Sequence, residues 1–178
     1  PPAPGHRRAG WPRRRLPLRQ HRGIRQLRRP QAVQCHQPPA GAAAMTAPLI
    51  DPAEPRFRLG LEEMDRTHLE LIDLVNRLAA VDDAGFPALF DALLAHTEAH
   101  FAQEEQWMTA SAFPALHEHR SEHRRVLADL RNLGQRAASG RPALARAYVR
   151  EQLPHWFALH AATMDSALAG HLKAGARG

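Results

Sequence analysis

Residues 93–127 read LLAHTEAHFAQEEQWMTASAFPALHEHRSEHRRVL, and two helical faces are written in this stretch. In and just before its first half, Leu89, Leu93, Thr97, His100, Glu104 and Met108 recur three and four residues apart. That is the period of one face of an α-helix. In its second half, Leu116, His119, His123, Val126, Leu127 and Leu130 form a second such face. The link Thr109-Ala110-Ser111-Ala112-Phe113 between them is short, and Pro114 suits the first turn of the following helix, where its missing N–H costs nothing. Two helices joined so closely lie antiparallel. Both also place imidazoles or carboxylates where an apolar side chain belongs.

On either side of this pair, the same period predicts two more helices. Residues of about 62–80 carry Leu71, Ile72, Val75, Leu78 and Ala79 on one face, and His68 lies on that face too. Val81-Asp82-Asp83-Ala84-Gly85 is a turn offering a cap for the helix that starts near Phe86. Ser139-Gly140-Arg141-Pro142 ends the third helix near Ala137 and opens a fourth. The inner face of the fourth holds Leu144, Tyr148, Leu153, Trp156, His160, Met164, Ala167 and Leu168. Pro154 lies inside that pattern and removes the bond to the carbonyl of Arg150, which predicts a kink or local break. No strand pattern occurs. The expected fold is all-α, an up-down-up-down antiparallel four-helix bundle over residues 61–173. It follows an extended N-terminal arm, residues 45–60, in which Pro48, Pro52 and Pro55 block a helix.

The charge of the chain is divided unevenly. The formal total is +6, but residues 1–44 hold ten arginines and no Asp, Glu or Lys, leaving 14 basic against 18 acidic residues in the remainder. A nucleic-acid reading would rest on that segment alone, and none is expected of the folded domain. Residues 1–44 have few apolar side chains and many Pro, Arg and Gln, so they are expected to be disordered. Met45 directly precedes normal-looking sequence, so residues 1–44 are expected to be translated upstream sequence. A peptide from that segment, found by mass spectrometry of protein from its natural source, would contradict this. The chain has neither the apolar run of a secretory signal nor that of a membrane span, and the expected location is the cytoplasm. The only cysteine is Cys35, so any metal held by the domain must be bound by nitrogen and oxygen.

Seven polar residues interrupt the apolar faces. They are His68, the pair His100-x-x-x-Glu104, the pair His119-x-x-x-His123, and His160-x-x-x-x-Asp165. Each alone has a bland reading; a lone histidine on an apolar face is usually a hydrogen-bonded core residue. Together they place at least one metal-type donor on the inner face of each of four helices, and a buried unpaired carboxylate costs several kcal/mol. A shared metal centre accounts for all of them. Residues four apart share a helix face. His160 and Asp165, five apart, fall about 140° from each other around an α-helix, so Asp165 would have to reach around it. Imidazole with carboxylate suits iron, zinc or manganese, which leaves the metal open. Of the other histidines of the domain, His96, His117, His155 and His171 are expected at the surface or behind the donors.

Over about Phe57 to Leu172 these residues resemble the hemerythrin family in its single-domain bacterial form. The resemblance lies in Gly60-Leu-Glu-Glu-Met-Asp65-Arg-Thr-His68, His100-Phe-Ala-Gln-Glu104-Glu-Gln-Trp-Met108, Phe113-Pro114 followed by His119 and His123, and Trp156-Phe-Ala-Leu-His160-Ala-Ala-Thr-Met-Asp165. It implies two oxo- or hydroxo-bridged, non-haem iron ions. His119, His123 and His160 would hold one, His68 and His100 the other, with Glu104 and Asp165 bridging. It implies dioxygen as the ligand, in a pocket walled by Leu71, Phe101, Trp156 and Ala161. Ala161 stands where the family usually carries a larger aliphatic residue. The implied function is reversible dioxygen storage, transport or sensing without turnover, with any delivery or signalling partner unspecified. The alternative is a diiron enzyme with peroxidase- or oxidase-like activity. No Glu of the domain has a His three residues later, as ferritin-like diiron enzymes do, which disfavours that class.

Overall fold

The computed structural model describes residues 47–176. The arginine-rich segment, Cys35 and Met45 lie outside the described residues. Among those described there is no strand, and the helices are α1 (Glu62–Ala80), α2 (Phe86–Ala110), α3 (Leu116–Ala138) and a fourth rod, α4, over residues 143–175. The connections are short, α2 packs on both α1 and α3, and α4 meets both α1 and α3. This is the four-helix bundle that the periodicity predicts.

The interior is layered along the helix axes. One apolar cluster contains Leu71, Ile72, Val75, Phe90, Leu93, Val126, Leu130, Val149, Leu153 and Phe157. A second contains Met64, Met108, Phe113, Leu168 and Ala169. Burying each large side chain contributes roughly 1.5–3 kcal/mol. In sequence, His68 lies between Met64 and Leu71, Glu104 between Phe101 and Met108, His119 and His123 between Leu116 and Val126, and Asp165 between Ala161 and Leu168, each pair joining one cluster to the other. Each helix therefore passes from apolar to polar to apolar, and the polar band is closed off at both ends.

α4 departs from a plain α-helix twice. It is α-helical over Ala143–Ala147, Leu153–His160 and Ser166–Gly175, with π-turns at Tyr148–Gln152 and Ala161–Asp165. The first lies where Pro154 predicts a break. Pro154 cannot bond back to Arg150, and the chain absorbs this by widening one turn, so that the N–H of Leu153 reaches the carbonyl of Tyr148. Pro154 then occupies the first turn of the next α-segment, where no N–H is needed. The rod continues rather than breaking.

The arm is tied down at defined points. Asn76 accepts from the N–H of Ile50 and donates to its carbonyl, both at 2.9 Å. Pro55–Phe57 form a 3-10 turn rather than continuing extended. The carboxylate of Asp65 accepts from the N–H groups of Leu59 (2.6 Å) and Gly60 (3.1 Å), and Lys173 donates to the carbonyl of Leu59 at 2.7 Å. These contacts set Phe57, which is buried and stacks on Phe157 at 4.9 Å.

Pro114 sits in the α2–α3 link, two residues before α3, and not in its first turn. The reason is how α2 ends. The N–H of Phe113 returns to the carbonyl of Met108 at 2.9 Å and that of Ala112 to Thr109 at 3.3 Å. This is a Schellman ending, which requires a left-handed residue, here Ala112 at φ 50°. The same ending closes α3 with Gly140 at φ 77°. An alanine in that region is strained by its Cβ. Ala112→Gly is therefore expected to stabilise the bundle by about 0.5–1 kcal/mol and raise Tm by roughly 2–5 °C. A lowered Tm would contradict the assignment of strain to this link.

Candidate metal centre

All seven predicted donors come together in the polar band, each 4% exposed or less. They form two ion-sized groups, one of Glu104, His119, His123, His160 and Asp165, the other of His68, His100 and Glu104. Two carboxylates span the groups. Glu104 turns Oε1 to His100 Nε2 (2.9 Å) and Oε2 to His119 and His123 Nε2 (3.3 Å each). Asp165 turns Oδ1 to His160 (3.1 Å) and His119 (3.2 Å), and Oδ2 to His68 (3.2 Å).

The second π-turn makes this possible. The five-residue spacing of His160 and Asp165 predicts poor alignment on an α-helix. A π-turn closes i to i+5, so Asp165 comes back over His160 instead of reaching around the helix.

The donor set fits a metal ion better than a hydrogen-bond network. His160 Nε2 lies 3.1 Å from His119 Nε2 and 3.0 Å from His123 Nε2. One ring nitrogen carries either one proton or one lone pair, so His160 cannot satisfy both neighbours and a carboxylate as well. A first-row ion binds imidazole nitrogen at about 2.0–2.1 Å, so two rings bound at right angles are about 2.9–3.0 Å apart. His68 Nε2, Glu104 Oε2 and both oxygens of Asp165 are buried without a hydrogen-bond partner, their close contacts lacking hydrogen-bond geometry. A common ion removes that cost.

The donors also shift one another's charge. Burial and the neighbouring Asp165 would raise the pKa of Glu104, but His100 and His119 hold it below the ordinary range. Burial likewise opposes ionisation of Asp165, and His119, His160 and His68 outweigh it. Burial pushes the His119 imidazole down, while Asp165 and Glu104 lift it to about 9. His123, with less support from Glu104, is lowered by burial. The band thus holds two ionised carboxylates deep in the protein, and positive charge, whether on the imidazoles or on a bound cation, must balance them.

The surroundings orient the donors. His68 Nδ1 faces the carbonyl of Phe57 at 3.3 Å, a bond that turns Nε2 toward the site. Phe101 stacks on His123 at 3.6 Å, Trp156 stacks on His160 at 4.7 Å, and Phe101 meets Trp156 edge-on at 6.1 Å. Leu71 and Ala161, the other two expected wall residues, are fully buried. His96 bonds to the carbonyl of Thr67 (3.2 Å) and His171 to that of Ser111 (2.9 Å), while His117 and His155 are exposed. One contact has no signal in the spacing: the indole N–H of Trp156 donates to Oε1 of Glu122, a partly exposed residue of α3, at 2.7 Å.

The hemerythrin HHE cation binding domain matches residues 59–172. The chain belongs to the hemerythrin family. A protein of Ralstonia nicotianae (strain ATCC BAA-1114 / GMI1000) described as bacteriohemerythrin is 47% identical over 109 residues, 61% of this chain and 79% of that protein. No solved structure matches the chain. No helix among the described residues is long and apolar enough to cross a membrane.

A hemerythrin-family bundle with two buried carboxylates should depend on its ions for stability. Stripping metal with a chelator is expected to cost about 3 kcal/mol or more, lowering Tm by roughly 10 °C or more. An unchanged melting curve after complete removal would show that the band is satisfied without metal.

Proposed function

We propose that the two groups of donors hold two iron ions and that the protein binds dioxygen reversibly. The observation that carries this reading is the sharing of Glu104 and Asp165 between unequal groups. Three histidines, His119, His123 and His160, surround one position, and two, His68 and His100, serve the other. The two-histidine position has fewer protein donors and so keeps room for a small ligand. Membership of the hemerythrin family and the likeness to a bacteriohemerythrin support iron as the metal and dioxygen as the ligand. When bound, the iron pair supplies the electrons that hold dioxygen reversibly.

The chain's own residues do the rest. Glu104 and Asp165 supply two negative charges and fix the spacing of the two positions. Phe57, through its carbonyl, orients His68. Leu71, Phe101, Trp156 and Ala161 would exclude water and so limit the proton access that promotes irreversible oxidation of bound iron. Five imidazoles against two carboxylates make the centre nitrogen-rich, which favours binding over the oxygen activation of a peroxidase- or oxidase-like diiron enzyme.

Iron analysis and visible spectra under air and then under vacuum test the proposal. Two irons per chain and a spectrum that reverses on degassing are expected; zinc, or one metal per chain, would overturn it. Steady peroxide consumption would move the reading to the enzyme class. Glu104→Ala is expected to leave one iron per chain or fewer, and an intact pair in that variant would refute its bridging role. Ala161→Ile is expected to narrow the pocket and slow autoxidation several-fold, as read from the decay of the oxygenated spectrum. An unchanged rate would show that this side chain does not shape the pocket.

A further inference from the structure

We propose that the hydrogen bond between Trp156 and Glu122 is the latch on the passage by which small ligands reach and leave the metal centre. The inference rests on the ligand-binding reading above. Every donor is 4% exposed or less, so a ligand that exchanges needs the protein to open somewhere. Of the four wall residues, Leu71, Phe101 and Ala161 are buried, and Trp156 alone is half-buried.

A surface cleft of about 80 Å³ lies against it, between α3 and α4, lined by Glu122, Trp156, Leu159, His160, Thr163 and Met164. That is ample room for a small molecule to rest at the surface. Trp156 and the donor His160 both line it. One face of the indole covers His160, and its edge meets Phe101, which in turn lies 5.6 Å from His100, a donor of the two-histidine group. Moving the indole would therefore join the cleft to the aromatic-lined interior.

The indole is held by one polar contact. Trp156 Nε1–H donates to Glu122 Oε1 at 2.7 Å. Arg125 grips the same carboxylate twice, at 2.6 Å and 3.1 Å, and itself donates to Asp129 at 3.3 Å. Hydrogen bonding to Arg125, with a smaller contribution from Trp156, holds the Glu122 carboxyl down at about 2, so the acceptor is charged at neutral pH. A charge-assisted bond at the edge of solvent is strong enough to keep a door closed and exposed enough to break. The door is mounted on the short segment Leu153–His160, which has a π-turn at each end. Leu153, Phe157 and His160 of that segment are buried, so the backbone is held and the indole itself is the part free to swing.

A latch has a kinetic signature that a mere tie between helices lacks. Releasing it lowers the barrier in both directions, so ligand association and dissociation quicken by the same factor and Kd does not move. The test uses the full chain, iron-loaded and oxidised, with azide as the probe in stopped-flow mixing. Glu122→Ala is expected to raise both rate constants about tenfold or more, the factor that loss of a hydrogen bond to a charged group corresponds to. Kd should stay within about twofold, because a gate changes how fast a ligand passes and not how tightly it is held, whereas altered contacts with the ligand act mainly on dissociation. Glu122→Gln keeps an acceptor for the indole and should restore most of the wild-type rates. Trp156→Phe removes the N–H, and adding Glu122→Ala to it should bring no further change in either rate. Independently of the metal, the Trp156 indole proton should exchange with deuterated solvent several-fold faster in Glu122→Ala, as followed by NMR. Faster indole exchange with azide rates at the wild-type value would overturn the latch and leave a structural tie. A change confined to Kd would overturn it too. A wild-type protein that takes up no azide would overturn the ligand-binding reading along with the latch, and is seen before any variant is made.

Discussion

Two carboxylates buried between four helices set the terms for everything around them. Glu104 and Asp165 are fully buried, and each turns one oxygen to either side of the polar band. Ionised carboxylates at such depth are tolerated only beside compensating charge. Five imidazoles converge on them for that reason, and the apolar clusters above and below keep water from doing the same work. Remove the carboxylates and the histidines become a set of mutually crowded rings with no reason to share a site.

The backbone bends to serve that arrangement. Asp165 reaches His160 because one turn of α4 is widened to a π-turn. A second π-turn accommodates Pro154 without breaking the rod, so Trp156, Phe157 and His160 stay in register with α3. The arm contributes through its main chain: Asn76 and Asp65 anchor it, Phe57 packs on Phe157, and the Phe57 carbonyl meets His68. Parts of the chain with no donor of their own thus decide how the donors point. The same holds at the surface, where Glu122 accepts from the indole of Trp156, whose ring stacks on His160.

Most of the bundle is legible in one dimension because a helix is a local object with a period of 3.6 residues. The apolar stripes of α1, α2 and α3 place those helices to within a few residues. The seven donors stand out because each interrupts such a stripe, and a buried polar group demands a partner. The position of Pro114 is less legible, since the end of α2 depends on Ala112 adopting a left-handed conformation that favours glycine. The arm's 3-10 turn is hidden among prolines that exclude an α-helix without specifying what replaces it.

Four helices, their antiparallel order and most of the side chains that meet at their centre can be read from the residue pattern, because periodicity and the cost of burial act residue by residue; Leu144 and Ala167, expected on the inner face of the fourth helix, are exposed, because the π-turns of α4 shift its faces. The folded chain alone shows which oxygen of Glu104 and Asp165 faces which group, and that His160 and Asp165 share a face across a π-turn. It alone pairs Trp156 with Glu122 and His68 with the carbonyl of Phe57. Those features join residues distant in the chain or depend on the winding of a single turn, and neither leaves a repeat in the sequence.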